Sequence, residues 1–182
     1  FGHTVLVNSN AAPLTGINQY TASYNEKNSA VRLGNGNVMI ASYNGTDGVL
    51  SVVNSTGTPV IGPITFKSGY LNCVSAALLL NGNVLLAYSD GTVTETLVVD
   101  VNGTTQSGPY PVLSYPSSYI SAVTLNNGNA LIAQDDGASG RTVVVNQTGA
   151  LMVGENTFST PTTSFTRAVK LTNGNVLIAY TG

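Results

Sequence analysis

Several features that are common in soluble proteins are scarce in this sequence. Only 8% of its 182 residues are charged and tryptophan is absent, whereas an average soluble domain has about 25% charged residues. Six Lys and Arg residues and a net charge of −2 provide no basic patch, which argues against a nucleic-acid partner. Cys73 is the single cysteine, so an internal disulfide framework is excluded and we expect this residue to be a buried small hydrophobe.

Long apolar runs and helical patterns are also missing. No run approaches the roughly 18 apolar residues of a membrane span, and no stretch shows a 3.6-residue period with capping residues. Phe1 is not an initiator methionine, from which we expect a processed N-terminus. The composition therefore predicts an all-β chain that is long enough to bury a core.

The chain repeats itself at a fixed spacing of 46 residues. Four sets of markers keep this step: Gly36, Gly82, Gly128 and Gly174; Gly16, Gly62, Gly108 and Gly154; Asn8, Asn54, Asp100 and Asn146; and Ala30, Ala76, Ala122 and Ala168. A regular period of this length is typical of stacked or radial repeat architectures.

Each repeat contains four short apolar segments separated by turns, which we interpret as strands A to D. The Asn-Gly pair between A and B predicts a tight hairpin in which both turn residues accept positive φ. Segments B and C are apolar on both faces, as expected of central strands. Segment D carries Pro63, Pro109 and Pro111, and proline belongs on a sheet edge because it cannot donate to the ladder.

The repeat resembles those of β-propeller proteins in its length, its four strands and its polar outer edge. The phrase "LTNGNVLIA" is similar to the A–B hairpin of kelch-type and sialidase-type blades, although the sequence lacks the paired glycines of kelch repeats and the Asp-box of sialidases. This resemblance implies a four-bladed all-β propeller. The predicted blades are residues 30–75, 76–121, 122–167 and a seam blade of 168–182 with 1–29.

The seam blade follows from an alignment of the two ends. Residues 4–33 match residues 142–171, so the chain opens with strands C and D and closes with strands A and B. Pairing them would cover an apolar edge that otherwise promotes aggregation. Closure within one chain is favoured by its high effective concentration, and pairing between chains into an open polymer is the alternative.

Candidate chemistry is sparse. Segments A (30–33, 76–79, 122–125 and 168–171) should line the central channel and contain no carboxylate, whereas glycosidases need a pair. We therefore expect no enzyme activity, no metal and no cofactor. Arg32 and Lys170, together with Arg167, are candidates to hold an anion at the channel mouth, although exposed side chains that extend into solvent explain them as well. His3 is expected to be exposed.

Two further sets of residues are candidate sites. A lectin-like glycan site at the end of strand B would use Tyr43, Tyr88, Gln134 and Tyr180, although blade packing explains aromatic residues there equally well. Four Asn-X-Ser/Thr sequons are candidates for N-glycosylation: Asn44, Asn54, Asn102 and Asn146.

Low charge and a surface rich in Ser, Thr, Asn and Gly favour an extracellular or cell-surface location. The sequence thus predicts a non-catalytic structural or interaction module that self-associates through its terminal half-blades or binds another extracellular protein. The alternative is a multivalent lectin-like propeller that binds glycans.

Overall fold

The computed structural model describes residues 1–160 and 163–182, and these residues form sixteen β-strands and no helix. No described segment is therefore a helix that could cross a membrane. The first two strands, β1 (Gly2–Thr4) and β2 (Asn18–Thr21), form an antiparallel hairpin.

Three complete four-stranded antiparallel sheets follow, each in chain order. The first contains β3 (Glu26–Arg32), β4 (Val38–Tyr43), β5 (Gly48–Val53) and β6 (Pro59–Lys67). The second contains β7 (Cys73–Leu78), β8 (Val84–Ser89), β9 (Thr94–Val99) and β10 (Thr105–Leu113). The third contains β11 (Ile120–Thr124), β12 (Ala130–Asp135), β13 (Gly140–Val145) and β14 (Leu151–Ser159). A last two-stranded sheet pairs β15 (Ser164–Lys170) with β16 (Val176–Thr181).

The sheets are stacked beside one another through their first strands. Strand β7 packs between β3 and β11, and β11 packs between β7 and β15; we call β3, β7, β11 and β15 the inner strands. The proline-bearing strands β6 and β10 lie at sheet edges, as the prolines predicted. The architecture is therefore all-β with repeated four-stranded blades.

The core consists of apolar layers between neighbouring sheets. Leu85 and Leu86 of β8 are both fully buried, although they point to opposite faces. Leu86 belongs to the cluster shared with the first sheet, and Leu85 to the cluster shared with the third. Full burial of such a side chain contributes about 1.5–3 kcal/mol, so continuous apolar sequence in the central strands is explained by burial on both faces.

The turn between the first two strands of each sheet differs from the prediction. At residues 33–37 only Gly36 has positive φ (87°), while the N–H of Asn37 donates to Oδ1 of Asn35 at 3.1 Å. The N–H of Gly36 also donates to the carbonyl of Leu33. This is a longer hairpin loop that ends in a left-handed glycine, a geometry with one rather than two positive-φ residues.

The two ends of the chain lie in separate two-stranded sheets. The N-terminal hairpin packs against the first sheet, where Thr4 Oγ1 donates to the carbonyl of Gly57 at 2.8 Å and Tyr20 joins Ile40 and Val53 in a small core. Among the described residues no ladder joins β16 to β1. Closure of the ring and the number of blades therefore stay predictions.

Candidate functional site

The candidate site is a cavity of about 330 Å³ at the end of the inner strands where β3 begins. This volume lies within the range of small-molecule sites. Its lining comes from all four inner strands and from the loop before β11. The lining residues are Lys27, Asn28, Ser29, Cys73, Val74, Ser75, Ser118, Tyr119, Ile120, Ser121 and Arg167.

A ladder of serine hydroxyls joins neighbouring inner strands at this cavity. Ser29 Oγ accepts the N–H of Ala76 at 2.9 Å. Ser75 and Ser121 accept the equivalent N–H groups of the next sheets at 3.0 and 2.9 Å. Because each serine binds the backbone of the next strand, the ladder fixes the spacing of the strands that form the cavity wall.

Two cationic side chains lie in the cavity lining, and one of them interrupts the repeat. Arg167 occupies the position on β15 that Ser29, Ser75 and Ser121 occupy on the other inner strands. Lys27 occupies the position of Cys73 and Tyr119. Both cations are exposed, and among residues 1–160 and 163–182 neither forms an ion pair. Their charges are therefore available to a ligand.

The backbone around Lys27 is irregular. Strand β3 has a bulge between Glu26 and Ser29, and Lys27 has φ of +55°. Strand β15 has a bulge at the same place, and Phe165 has φ of +53°. The paired registers of β7 and β11 are regular. Bulges change the direction of side chains and are enriched beside active sites.

A buried carboxylate holds the loop that closes one side of the cavity. Asp135 is 3% exposed and accepts the N–H groups of Ser118 and Tyr119 at 3.1 and 2.8 Å, and the hydroxyl of Ser117 at 3.0 Å. The ring of Tyr119 lies against that of Phe165, with centroids 4.4 Å apart. Asp135 thereby positions the aromatic part of the wall.

Cys73 does not supply a nucleophile to this cavity. It is 7% exposed, and its thiol donates to the carbonyl of Ser117. Burial raises the pKa of Cys73 to about 12, so the thiolate that nucleophilic chemistry needs is not populated at neutral pH.

The residues predicted at the end of strand B lie apart from this cavity. Tyr88 and Gln134 are fully buried, and Tyr43 is 9% exposed. Tyr88 packs edge-on against Phe66, as Tyr43 does against Tyr70. Tyr180 alone is open to solvent, at 44% exposed. Burial leaves no ring face of Tyr88 for a ligand, whereas Tyr180 has a free surface.

Two of the three predicted anion-binding residues, Arg32 and Lys170, lie at the other end of the inner strands. Arg32 pairs with Val38 and Lys170 with Val176, next to the Asn-Gly turns. Both side chains are exposed. Neither lines the cavity, which Arg167 does. His3 is exposed on β1, also away from the cavity lining.

The four sequons lie in turns between strands. The side-chain oxygens of Asn44, Asn54 and Asn146 accept backbone N–H groups and hold their turns. At the third turn Asp100 has that role, and Asn102 is exposed. Whether any sequon is glycosylated stays a prediction.

Sequence reasoning missed Lys27, Asn28, Ser29 and the Asp135 loop. Apart from Arg167, the predicted channel residues were limited to 30–33 and their equivalents, whereas the strands begin earlier and the cavity lies at those earlier residues. A usable signal was present, because serine recurs at three positions spaced by 46 residues and is replaced by Arg167 at the fourth. A break in a strict repeat at an inner strand marks a position that the fold alone does not require.

No protein-family model and no curated protein matches the chain. Solved structures do share its fold. A protein of unknown function from Dyadobacter fermentans has a TM-score of 0.68 at 15% identity, over 86% of this chain and 56% of its own. The intramolecular trans-sialidase from Ruminococcus gnavus, solved with oseltamivir carboxylate, has a TM-score of 0.60 at 13% identity, over 83% of this chain and 38% of its own. An endo-arabinase from Bacteroides thetaiotaomicron has a TM-score of 0.56 at 15% identity, over 84% of this chain and 68% of its own.

These similarities establish a propeller-type fold. At such low identity they show the fold and not the substrate. The chain spans 56% of the Dyadobacter fermentans protein and 38% of the trans-sialidase. It is thus considerably shorter than these two proteins.

The comparisons also correct two expectations from the sequence. Named proteins with this fold are enzymes, including a trans-sialidase and an endo-arabinase. The expectations that the chain is not an enzyme, and that it is a non-catalytic structural or lectin-like module, were therefore wrong. The sequence-based search for carboxylates covered residues 30–33 and their equivalents, whereas the inner strands begin earlier, and Glu26 directly precedes the cavity-lining residue Lys27.

Proposed function

We propose that this chain carries the substrate-binding end of a propeller enzyme that acts on a saccharide. The observation that carries the proposal is the polar cavity where the inner strands converge. Hydroxyl groups of Ser75, Ser118 and Tyr119 line it, and these groups both donate and accept hydrogen bonds, as sugar recognition requires. The names of the trans-sialidase and the endo-arabinase support a carbohydrate substrate.

The proposed reaction is hydrolysis of a glycosidic bond. This reaction needs two carboxyl groups, one as acid and one as base or nucleophile. Glu26 directly precedes Lys27 on β3, and Asp135 binds the cavity loop from behind. We propose Glu26 as one member of this pair; Asp135, whose Oδ1 accepts three hydrogen bonds from the loop, positions the loop and does not act in the reaction.

The test is release of methylumbelliferone from a panel of neutral and acidic 4-methylumbelliferyl glycosides. We expect at least one glycoside to be hydrolysed, and Glu26→Gln to lower kcat at least a hundredfold. Glu155→Gln is the matched control, because Glu155 pairs with Arg141 at the outer surface. No hydrolysis across the panel, or equal rates for the two variants, would overturn the proposal.

We also propose that β1–β2 and β15–β16 form one seam blade of a four-bladed ring. Two observations support it: residues 4–33 match residues 142–171, and Asn8 holds its turn through the same side-chain hydrogen bonds as Asn146. Ile132 pairs with Val143 in the third sheet, and the corresponding seam pair is Ile178 with Val5.

Disulfide trapping tests the seam. In a Cys73→Ala background, Val5→Cys combined with Ile178→Cys should oxidise to a monomeric cross-linked species of altered mobility on non-reducing gels. Val5→Cys combined with Leu151→Cys is the control, since Leu151 lies on the outer strand of the third sheet. A double variant that stays reduced, or forms only disulfide-linked dimers, would contradict a ring closed within one chain.

We propose an extracellular or cell-surface location. The low charge and the surface rich in Ser, Thr, Asn and Gly support it. Immunodetection of the protein in the medium or on unpermeabilised producing cells tests this location, and detection only in the cytosolic fraction would contradict it.

A further inference from the structure

The cavity wall contains two cations that have no anionic partner in the described part of the chain. Lys27 lies on β3 and Arg167 on β15, the first and last inner strands that line the cavity. In contrast, Lys67 pairs with Asp90, and Arg141 with Asp136, at distances of 3.1 and 2.8 Å. In a chain with only six Lys and Arg residues, two unpaired cations in one cavity are a concentrated positive charge.

The fold does not require an arginine at position 167. Its three equivalents are serines that accept a backbone N–H from the next sheet. Arginine has no acceptor atom and cannot continue this ladder. At position 167 the side-chain hydrogen bond to the next strand is therefore absent, and a positive charge lies at the cavity instead.

The backbone conformation at position 27 recurs at the equivalent Phe165 of β15, and in β3 the bulge places a lysine in the cavity lining. A lysine with φ of +55° is in the left-handed region, which is unfavourable for residues with a Cβ atom other than Asn and Asp. Such conformations persist where the surrounding structure imposes them and are concentrated at functional sites. The bulge directs a side chain into the cavity wall at a cost to stability.

We propose that Lys27 and Arg167 form a two-point clamp for an oxyanion group of the substrate: a carboxylate, a sulfate or a phosphate. This inference rests on the proposed function for the location of the site. Arginine binds planar oxyanions through paired N–H groups, and the lysine ammonium in the same cavity lining adds a point charge. The serine and tyrosine hydroxyls then bind the neutral part of the same molecule.

Calorimetric titration at low salt tests the clamp, with glucuronate, glucose 6-sulfate, glucose 6-phosphate and glucose as probes. We expect at least one anionic probe to bind about tenfold or more tighter than glucose, which corresponds to one charge-assisted hydrogen bond. The preferred anion distinguishes the three oxyanions. Equal affinity for glucose and all anionic probes, or no binding of any anionic probe, overturns the clamp.

Charge variants with matched controls locate the effect. Arg167→Ser restores the serine of the other inner strands, and Lys27→Met removes the ammonium. Each variant should weaken binding of the anionic probe about tenfold and leave the affinity for glucose unchanged. Arg32→Ser and Lys170→Met remove the same charges at the opposite end of β3 and β15. If these control variants weaken binding of the anionic probe as much as the cavity variants do, the charges act at long range and the proposed clamp is wrong.

A third variant separates binding from structure. Asn tolerates the left-handed region, so Lys27→Asn should keep or raise the melting temperature while losing the preference for the anion. A lower melting temperature with anion affinity retained would assign Lys27 to the fold instead. Hydrolysis of neutral glycosides without any anion preference would overturn the clamp alone, whereas Arg167-dependent anion binding without glycoside hydrolysis would overturn only the proposed reaction.

Discussion

Strands β8 and β16 have nearly the same sequence in very different surroundings. Residues 83–90 read "NVLLAYSD" and residues 175–182 read "NVLIAYTG". Leu85 and Tyr88 are 0% and 1% exposed, whereas the equivalent Leu177 and Tyr180 are 49% and 44% exposed. The repeat thus determines that both segments become strands, and neighbouring sheets determine which of them is buried.

The reason lies in what flanks each strand. Strand β8 pairs with β7 and β9 and has a sheet on either side. Strand β16 pairs with β15 alone in the described structure. The two strands have nearly the same β-strand propensity because their sequences are nearly the same. The difference in what each strand contributes to the stability of the fold should therefore come almost entirely from the apolar area that it removes from water.

The largest expected effect is a truncation of the buried leucine. Leu85→Ala should destabilise the fold by about 2–5 kcal/mol, because it leaves a cavity between the second and third sheets. Leu177→Ala, the same substitution on the edge strand β16, should cost less than about 1 kcal/mol. Urea unfolding followed by circular dichroism measures both.

This pair also tests whether the end sheet is covered in solution. If Leu177→Ala costs as much as Leu85→Ala, another sheet packs on β16, as ring closure requires. A small cost for both substitutions would mean that the second sheet is loosely packed, and the contrast drawn between β8 and β16 would be wrong.

The next effect in size concerns glycines of the outer strands. Gly108 has φ of +90°, and a Cβ there would lie 2.7 Å from the carbonyl oxygen of Thr96. Gly108→Ala should therefore destabilise the fold by about 1–3 kcal/mol. Gly154, its equivalent in the third sheet, has open space and no positive φ, so Gly154→Ala should be neutral or raise stability by up to about 1 kcal/mol.

Thermal unfolding of the two glycine variants provides the comparison. Equal losses would show that the marker glycines share one backbone role, contrary to the difference in their surroundings. A stable Gly108→Ala variant would mean that the Thr96 backbone moves aside easily, which a strand paired on both sides should resist.

Much of the architecture could be predicted from the sequence. The four segments of each repeat, their order and the edge position of the proline-bearing strands follow from periodicity and from the missing donor of proline. The turn geometry did not follow, because the Asn35 side chain takes the place of a second positive-φ residue. Closure of the ring, which the matching ends of the chain predict, stays a prediction, since it also depends on the angle between sheets and no local pattern encodes that angle.

The cavity was missed for a similar reason. Element boundaries are the weakest part of sequence-based prediction, and the inner strands begin at Glu26 and Cys73 rather than at the marker alanines Ala30 and Ala76. A shift of five residues along β3 moved the candidate anion site from Lys27 to Arg32. Arg167, which the sequence analysis also named as an anion-binding candidate, replaces a serine of the repeat and lies at the cavity end of β15.

The smallest expected effect depends on pH and concerns Asp90, which lies in the loop between β8 and β9 of the second sheet. Burial alone would raise the pKa of Asp90, but hydrogen bonds from Thr92 and Val93 and the ion pair with Lys67 hold this pKa well below its usual range. A lowered pKa in the folded state stabilises the fold above the unfolded pKa of about 3.9, and this contribution is lost as the pH falls below that value.

Asp90→Asn isolates that contribution. Asn44 already holds the same turn in the first sheet through its side-chain oxygen, so the variant should keep the turn and lose only the ion pair. We expect a loss of less than about 1 kcal/mol at pH 7, since the pair is partly exposed, and a smaller difference from the wild type at pH 3. Urea unfolding at both pH values measures this. If the stability difference between the wild type and Asp90→Asn instead grew toward pH 3, the protonated carboxyl would stabilise the fold more than the carboxylate does. That result would require a raised pKa of Asp90 in the folded state and would contradict the prediction.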